Sequence, residues 1–451
     1  MIPRDLALAA LNSVENASVF PRQFLENAFR KHSELNWRDR AFTQHLVQGV
    51  LRWKLRLDWI VGQSVRFPFS KIDPVILNIL RIAIYQLFFM DRVPQSAAVN
   101  EAVKQAGKSG RPHLTRFVNG ILREICRRKN RYDPPNPEGD RAQWMSVVYS
   151  YPMWLVKKWV AEMGADSTED LLEAGNRIPD LVVRTNTVKT DRAGLIGCLE
   201  REGLTCRPTA YAPLGVRVTG LKTPLAELSA FRAGLFQVQG EAAQICSRLV
   251  GPGPGEHVLE VCAGLGGKST HMAAMMKDRG RVVALDRMQG RLVSLSQTAS
   301  RLGLSCIRPV AGDARSPLNR LFRRTFKRVL LDAPCSGLGV LAKHPDGKWA
   351  RDAGDVLRLA ELQSRMLQAA LPVVGKNGCL LYTTCTISRE ENEDVVERLL
   401  RENRGVFLEN LKERVPAWGR DLVDENGFFR TLPHVHGMEG FFGAMLRKKG
   451  S

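Results

Sequence analysis

The strongest constraint on this chain's fold is a recurrence in its second half. Five short apolar segments, EHVLEVC (256–262), RVVALD (281–286), SCIRPVAGD (305–313), RVLLDAPC (328–335) and GCLLYTTC (378–385), alternate with stretches of helical apolar spacing: STHMAAMMK, MQGRLVSLSQTASRLG and DVLRLAELQSRMLQAALPVV. Apolar strands alternating with helices are the pattern of a parallel sheet wound on both faces. In such sheets ligands lie beyond the carboxyl ends of the strands. The residues closing each apolar segment are therefore the candidates for chemistry. The run Gly251-Pro-Gly-Pro-Gly255 punctuates the start of this region, which we read as an α/β domain spanning 236–451.

The rest of the chain reads differently. With 451 residues, two or three domains are expected. Residues 1–135 carry apolar residues at helical spacing, as in FTQHLVQGVLRWKLRLDWIV and DPVILNILRIAIYQLFFM, without strand alternation. An all-α domain is predicted there, with Asp73-Pro74 as a helix start. The segment YDPPNPEGD (132–140) reads as a linker. Residues 145–235 mix helical stretches (PMWLVKKWVAEMG, TEDLLEAGN) with short strands (LVVRTNTV, GVRVTG), which predicts a small α+β module.

Charge bears on partners. The net charge is +20, and residues 1–145 hold 23 Lys/Arg against 13 Asp/Glu, half of the excess. From Lys104 to Arg131 there are nine basic residues and one acid, Glu124. Arg315–Arg328 is also basic and free of acids. Nucleic acid is the simplest polyanion that such a field would capture; an acidic membrane surface or plain solubility would account for it equally. No apolar run of about 18 residues is present to span a bilayer. The N-terminus lacks the apolar core of a secretory signal, so a cytoplasmic location is expected. The nine cysteines are odd in number and form no CxxC. Neither a disulfide framework nor a metal site is expected, and most of the thiols are read as small buried hydrophobes.

Five strand ends stand out. Cys262-Ala263-Gly264-Leu265-Gly266-Gly267-Lys268 follows a strand and opens a helix. Its glycines let a ligand approach the backbone and the free N–H groups of the helix start. Its spacing matches neither a dinucleotide fingerprint nor a phosphate-binding loop. Asp286 closes the next strand, where an acid commonly accepts from ribose hydroxyls. Asp313 closes the third and is read as a partner for an adenine amino group or as a turn residue. Asp332-Ala-Pro-Cys335 and Tyr382-Thr-Thr-Cys385 close the fourth and fifth. A carboxyl group and two thiols beside a nucleoside pocket suit covalent addition to carbon 6 of a pyrimidine. Addition makes carbon 5 nucleophilic, and loss of the C5 proton then requires a base.

At these residues the chain resembles the RNA 5-methylcytosine methyltransferases of the RsmB/Sun/NOL1 family. Cys262–Lys268 is similar to the family's DxCAAPGGKT-like loop and Asp332–Gly339 to its DAPCSGTG-like turn. Tyr382–Thr386 with Glu391-Asn392-Glu393 is similar to its YSTCS-like turn and ENE. Lys343–Trp349 is similar to its RHPDxKW stretch. The helical first domain and RTNTVKT resemble the bacterial RsmB subtype. The resemblance implies a NusB-like RNA-binding domain, a small α+β module and a Rossmann-like methyltransferase domain using S-adenosyl-L-methionine. It further implies Cys385 as nucleophile, Cys335 in product release and Asp332 as the carboxyl group at the base. Cofactor contacts would fall on Cys262–Lys268, Asp286, Arg291, Asp313 and Asp332. Two positions depart from the pattern: Gly264-Leu265 replaces the usual Ala-Pro, and Glu260 is one methylene longer than the usual acid. The implied substrate is small-subunit ribosomal RNA, free or partly assembled, modified by a monomer. Transfer RNA as substrate, or an RNA-binding assembly factor with a decayed methyltransferase domain, are the alternatives.

Overall fold

The computed structural model describes residues 3–15, 21–129 and 131–449. The chain divides into two compact units. One comprises residues 1–176 with 344–350, the other residues 177–343 with 351–451.

The first unit is helical throughout its described residues: α1 (Pro3–Glu15), α2 (Pro21–Lys31), α3 (Trp37–Ser64), α4 (Pro74–Phe89), α5 (Gln95–Gly107), α6 (Pro112–Arg127), α7 (Arg141–Val148), α8 (Met153–Met163) and α9 (Ala165–Asn176). Helix α4 is its centre, buried from Ile76 to Leu87. The Asp73 side chain caps it by accepting from the amides of Val75 and Ile76, with Pro74 in the first turn, as the sequence predicts. Helix α3 is capped by Asn36 and kinked at Trp53, whose φ and ψ are −112° and 15°. Just past the kink, the Leu55 amide donates to Ser150 Oγ at 2.9 Å, which ties α3 to the turn after α7. Helices α7–α9 therefore pack with the helical unit, although the sequence places most of their residues in the α+β module. Apolar stripes show that helices pack, but not on which neighbour.

The segment His344–Ala350 completes this unit. Lys348 is fully buried. Its Nζ donates to Asn176 Oδ1 at 2.7 Å, to the Arg52 carbonyl at 3.0 Å and to the Ser150 carbonyl at 3.2 Å, and lies 3.6 Å from the centre of the Tyr151 ring. Burial, then the nearby Arg52, pushes its pKa far below the usual lysine value. Trp349 Nε1 donates to the Leu51 carbonyl.

The second unit holds two sheets. The smaller contains β1 (Leu181–Thr185), β2 (Thr205–Pro208), β3 (Gly215–Thr219) and β4 (Phe236–Val238), in order β2-β3-β1-β4 and wholly antiparallel. Helices α10 (Arg192–Arg201) and α11 (Ser229–Arg232) accompany it. Next come α12 (Glu241–Val250), β5 (His257–Val261), α13 (Gly267–Met275), β6 (Arg281–Asp286), α14 (Gln289–Leu302), β7 (Ile307–Ala311) and β8 (Phe326–Asp332). Then follow α15 (Ala353–Ala370), β9 (Val374–Thr384), α16 (Glu393–Glu402), β10 (Val406–Glu409), β11 (Phe429–Thr431), α17 (Pro433–His436) and β12 (Phe441–Lys448). The large sheet runs β10-β12-β9-β8-β5-β6-β7, with β11 on β12.

Strands β5 to β9 are the five apolar segments of the sequence and are parallel to one another. The parallel sheet read from the sequence is extended by β12, which runs antiparallel to both β9 and β10. Strand β9 is buried along most of its length. Its outer N–H and C=O groups need a partner there, and the C-terminal apolar run FFGAMLRK supplies it. Side chains of α12–α14 pack in one apolar core and those of α15 and α16 in another, the two cores sharing the large sheet between them. Among the described residues no helix is long and apolar enough to cross a membrane.

Candidate active site

The loop after β5 is shaped by left-handed backbone. Cys262, Gly264 and Gly266 have φ of +64°, +57° and +81°. The Ala263 amide donates to the Leu285 carbonyl at 2.9 Å, continuing the β5–β6 pairing, and α13 starts immediately after Gly266. A Cβ on Gly266 would sit 2.5 Å from Leu295 Cγ, whereas one on Gly264 would meet nothing within 4 Å. Leu265, where the family pattern has Pro, is half exposed at 51%.

Two carboxylates bracket the loop. Asp286 is buried, and its Oδ2 accepts from the Gly264 amide while Oδ1 accepts from the Met288 amide, each at 2.8 Å. Asp332, at the end of β8, accepts from Lys268 Nζ at 2.6 Å. Burial alone would lower the Lys268 pKa, but Asp332 and neighbouring acids hold it above its usual value. Glu260 lies beneath the loop and accepts from Ser269 Oγ. Burial pushes its carboxyl up to about 8, against the opposing pull of Ser269 and Lys268. Burial, with Asp332 and Asp286 adding to it, also pushes the Cys262 thiol up to about 12. A cationic, hydroxyl-bearing nucleoside fits this donor and acceptor set. Asp286 would take ribose hydroxyls with its remaining lone pairs, and Asp332 and the open left-handed turn at Gly264 offer acceptor charge and close backbone approach.

The other two expected cofactor contacts are placed less directly. Arg291 is exposed in the first turn of α14, its charge reaching Cys262. Asp313 follows β7 and is engaged by its own turn: its carboxylate accepts from the Arg315 amide at 2.9 Å and pairs with the Arg315 guanidinium. That pairing holds its pKa down at about 2. The carboxylate thus closes its own turn through Arg315 and stays partly exposed.

The two thiols come together. Cys335 Sγ lies 3.3 Å from Cys385 Sγ and also accepts from the Cys385 amide at 3.3 Å. Hydrogen bonding to Cys385, then burial, raises the Cys335 pKa well above the usual thiol value. All nine cysteines are free. The Ala333 amide donates to the Thr383 carbonyl at 2.9 Å, and the Gly339 amide to the Cys385 carbonyl at 3.0 Å. These bonds hold the two turns side by side.

Beneath the thiols lies a network whose role the sequence did not reveal. Glu391 Oε1 accepts from the Ser336 amide and from Gln363 Nε2, both at 2.8 Å, and its Oε2 accepts from Ser336 Oγ. Ser336 Oγ also meets Thr386 Oγ1 at 2.8 Å. One buried carboxyl thus ties the residue after Cys335 to the residue after Cys385. Tyr382 donates its hydroxyl to the Glu391 carbonyl at 2.6 Å, and Thr384 Oγ1 donates to Asn392 Oδ1 at 2.6 Å. The sole signal in the sequence was the Glu-Asn-Glu motif itself.

Arg184 is a second residue that sequence reasoning missed. It lies on β1 within RTNTVKT and is fully buried. It donates to the Gly267 carbonyl at 2.7 Å, to Thr270 Oγ1 at 3.1 Å and to Gln239. The small sheet therefore grips the first turn of α13, directly behind the loop. Burial, then Arg301, pulls the Arg184 pKa down to about 9. Asn186 adds a bond from Nδ2 to the Leu302 carbonyl at 2.8 Å.

Comparison with known proteins identifies the family. Residues 248–447 match the family model described as 16S rRNA methyltransferase RsmB/F, residues 1–127 the NusB family, and residues 151–223 an RsmF/B-like ferredoxin-like domain. The chain is 34% identical over 450 residues to the probable ribosomal RNA small subunit methyltransferase B of Bacillus subtilis, covering 99% of each. It is 32% identical over 447 residues to the ribosomal RNA small subunit methyltransferase B of Escherichia coli, again covering 99% of each. A solved methyltransferase homologue from Pyrococcus horikoshii superposes with a TM-score of 0.59 at 27% identity, covering 69% of this chain and 99% of the other.

Proposed function

This chain belongs to the RsmB/F family of 16S rRNA methyltransferases, and from that premise we propose how its residues divide the reaction. It is an S-adenosyl-L-methionine-dependent ribosomal RNA cytosine-C5 methyltransferase with a NusB-type helical domain, a ferredoxin-like module and a Rossmann-like catalytic domain. When bound, S-adenosyl-L-methionine supplies the electrophilic methyl group.

Cys385 is the nucleophile. Its thiolate adds to C6 of the cytosine, and the electron pair displaced from the C5–C6 bond makes C5 nucleophilic. The Asp332 carboxyl group, beside Lys268 Nζ at 2.6 Å, faces N3 and hands it a proton as the thiolate adds, which neutralises the charge pushed into the ring; it takes the proton back on elimination. After methylation the C5 proton leaves to a base, the C6–S bond breaks, and Cys385 departs as thiolate. Cys335 assists that elimination from its place 3.3 Å from the nucleophile. The Cys262–Lys268 loop, Asp286, Asp313 and Asp332 hold the cofactor, with Arg291 at the rim. This Sγ–Sγ contact, on turns held together by Glu391, is the observation that carries the reading. The substrate is small-subunit RNA in free or partly assembled form, the enzyme a monomer, and its place the cytoplasm, where that RNA is made.

Bisulfite sequencing of total RNA from a deletion strain and its parent tests the substrate. One cytosine losing protection in 16S rRNA supports the proposal. Loss confined to transfer RNA, or no loss at all, overturns it.

A further inference from the structure

The helical unit contains a cavity that the reaction does not use. It has a volume of about 410 Å³, within the roughly 300–1,000 Å³ span of small-ligand pockets. Its walls include Trp53, Arg56, Phe88, Phe89, Lys129 and Tyr132. Trp53 stacks on Phe89 at 4.7 Å and 19°, and Phe88 meets Tyr132 edge-on at 6.2 Å. Lys129 Nζ sits 5.6 Å from the Phe88 ring centre. The α3 kink falls at Trp53 itself, whose backbone lies in the sparsely populated bridge region; residues held there cluster at ligand-binding positions.

Two features select the occupant. Among the described residues, Arg56 Nη1 is buried without a hydrogen-bond partner. Its Nη2 reaches the Tyr132 carbonyl, at 3.5 Å. The acid whose field reaches Arg56 is Asp133, which does not line the cavity. An acceptor-bearing planar group would satisfy the guanidinium where an aliphatic one would not. The cavity also adjoins the C-terminal end of α6, where Arg127, Arg128, Lys129 and Arg131 fall within five residues. Arg127 and Arg128 share the single carboxylate of Glu124, so positive charge is in excess there. Aromatic faces beside cations are the surface that receives an unstacked base and its phosphate.

We propose that this cavity binds one flipped-out nucleobase of the RNA substrate, with Trp53 and Phe88 supplying stacking faces, Arg56 contacting the base edge and Lys129 the phosphate. The inference rests on the RNA-methyltransferase reading and deepens it: substrate is held by the helical unit at a defined base as well as by charge.

Ultraviolet cross-linking of the full-length chain to transcribed 16S rRNA, with the attached peptides identified by mass spectrometry, tests the site directly. Adducts on Trp53, Phe88, Phe89 or Tyr132 are expected; adducts confined to other peptides overturn the proposal. Lys129→Glu and Arg56→Gln should each raise KM for RNA about tenfold, equivalent to 1.4 kcal/mol at 25 °C. Lys129→Arg should restore it, with kcat and KM for S-adenosyl-L-methionine unchanged. RNA KM values within twofold of the parent also overturn it. A parent enzyme that methylates no RNA would instead sink the enzymatic reading, while the cross-links still decide the cavity.

Discussion

Cys335 and Cys385 face each other at 3.3 Å from turns on adjacent parallel strands, 50 residues apart in sequence. Cys385→Ala should abolish methyl transfer to RNA, because no other group replaces the C6 nucleophile. Cys335→Ala should still add and methylate but release product slowly, leaving a protein–RNA adduct that survives denaturing electrophoresis. Methylation of C5 by Cys385→Ala would rule the division of roles out.

The two left-handed glycines of the cofactor loop make a contrast. A side chain in this region costs about 1–2 kcal/mol. Gly264→Ala pays that cost alone, since its Cβ meets open space. Gly266→Ala adds a collision with Leu295, so its loss should exceed about 2 kcal/mol. Thermal denaturation and cofactor calorimetry should rank the variants in that order, with equal effects counting against the loop geometry.

Arg184→Ala removes the donors for Gly267, Thr270 and Gln239 together. Unsatisfied buried acceptors cost about 1–3 kcal/mol each, so a loss near 3 kcal/mol is expected. Cofactor affinity should fall with it, because the bonded carbonyl belongs to the first residue of α13. Chemical denaturation with cofactor titration checks both, and an unchanged affinity would separate the small sheet from the cofactor site.

Glu260 sets a pH dependence. Its carboxyl is raised to about 8 in the fold, from near 4.3 in an unfolded chain. The folded state binds the extra proton. Stability from this group is full below the unfolded value and is lost as pH rises towards and through about 8. Melting temperatures of the ligand-free protein between pH 6 and 9 should fall more steeply for the parent than for Glu260→Gln. Parallel curves would mean that Glu260 is already ionised at pH 6.

Much of this site is legible in sequence because its chemistry is local. The five parallel strands are short apolar runs, and each reactive group closes one of them, so strand ends and site residues are read together. What escaped depends on long-range packing. Arg184 looks like a surface residue of a strand, since arginine is rarely buried, and only the fold reveals its carbonyl and hydroxyl partners. Asp313 was open between two readings because its engagement depends on how Arg315 folds back. Strand β12 lies about 60 residues beyond the β9 residues it pairs with, and nothing in FFGAMLRK announces an antiparallel partner.

That pairing has a further consequence. Strand β9, which delivers Cys385, is hydrogen-bonded to β8 on one side and to β12 on the other. Its amides are therefore released only by opening that disrupts both neighbours, the slowest class of hydrogen exchange. The proposed nucleophile rides on one of the least yielding parts of the molecule, so adjustment during the encounter would fall to the RNA, whose base would leave its stack to reach the thiol.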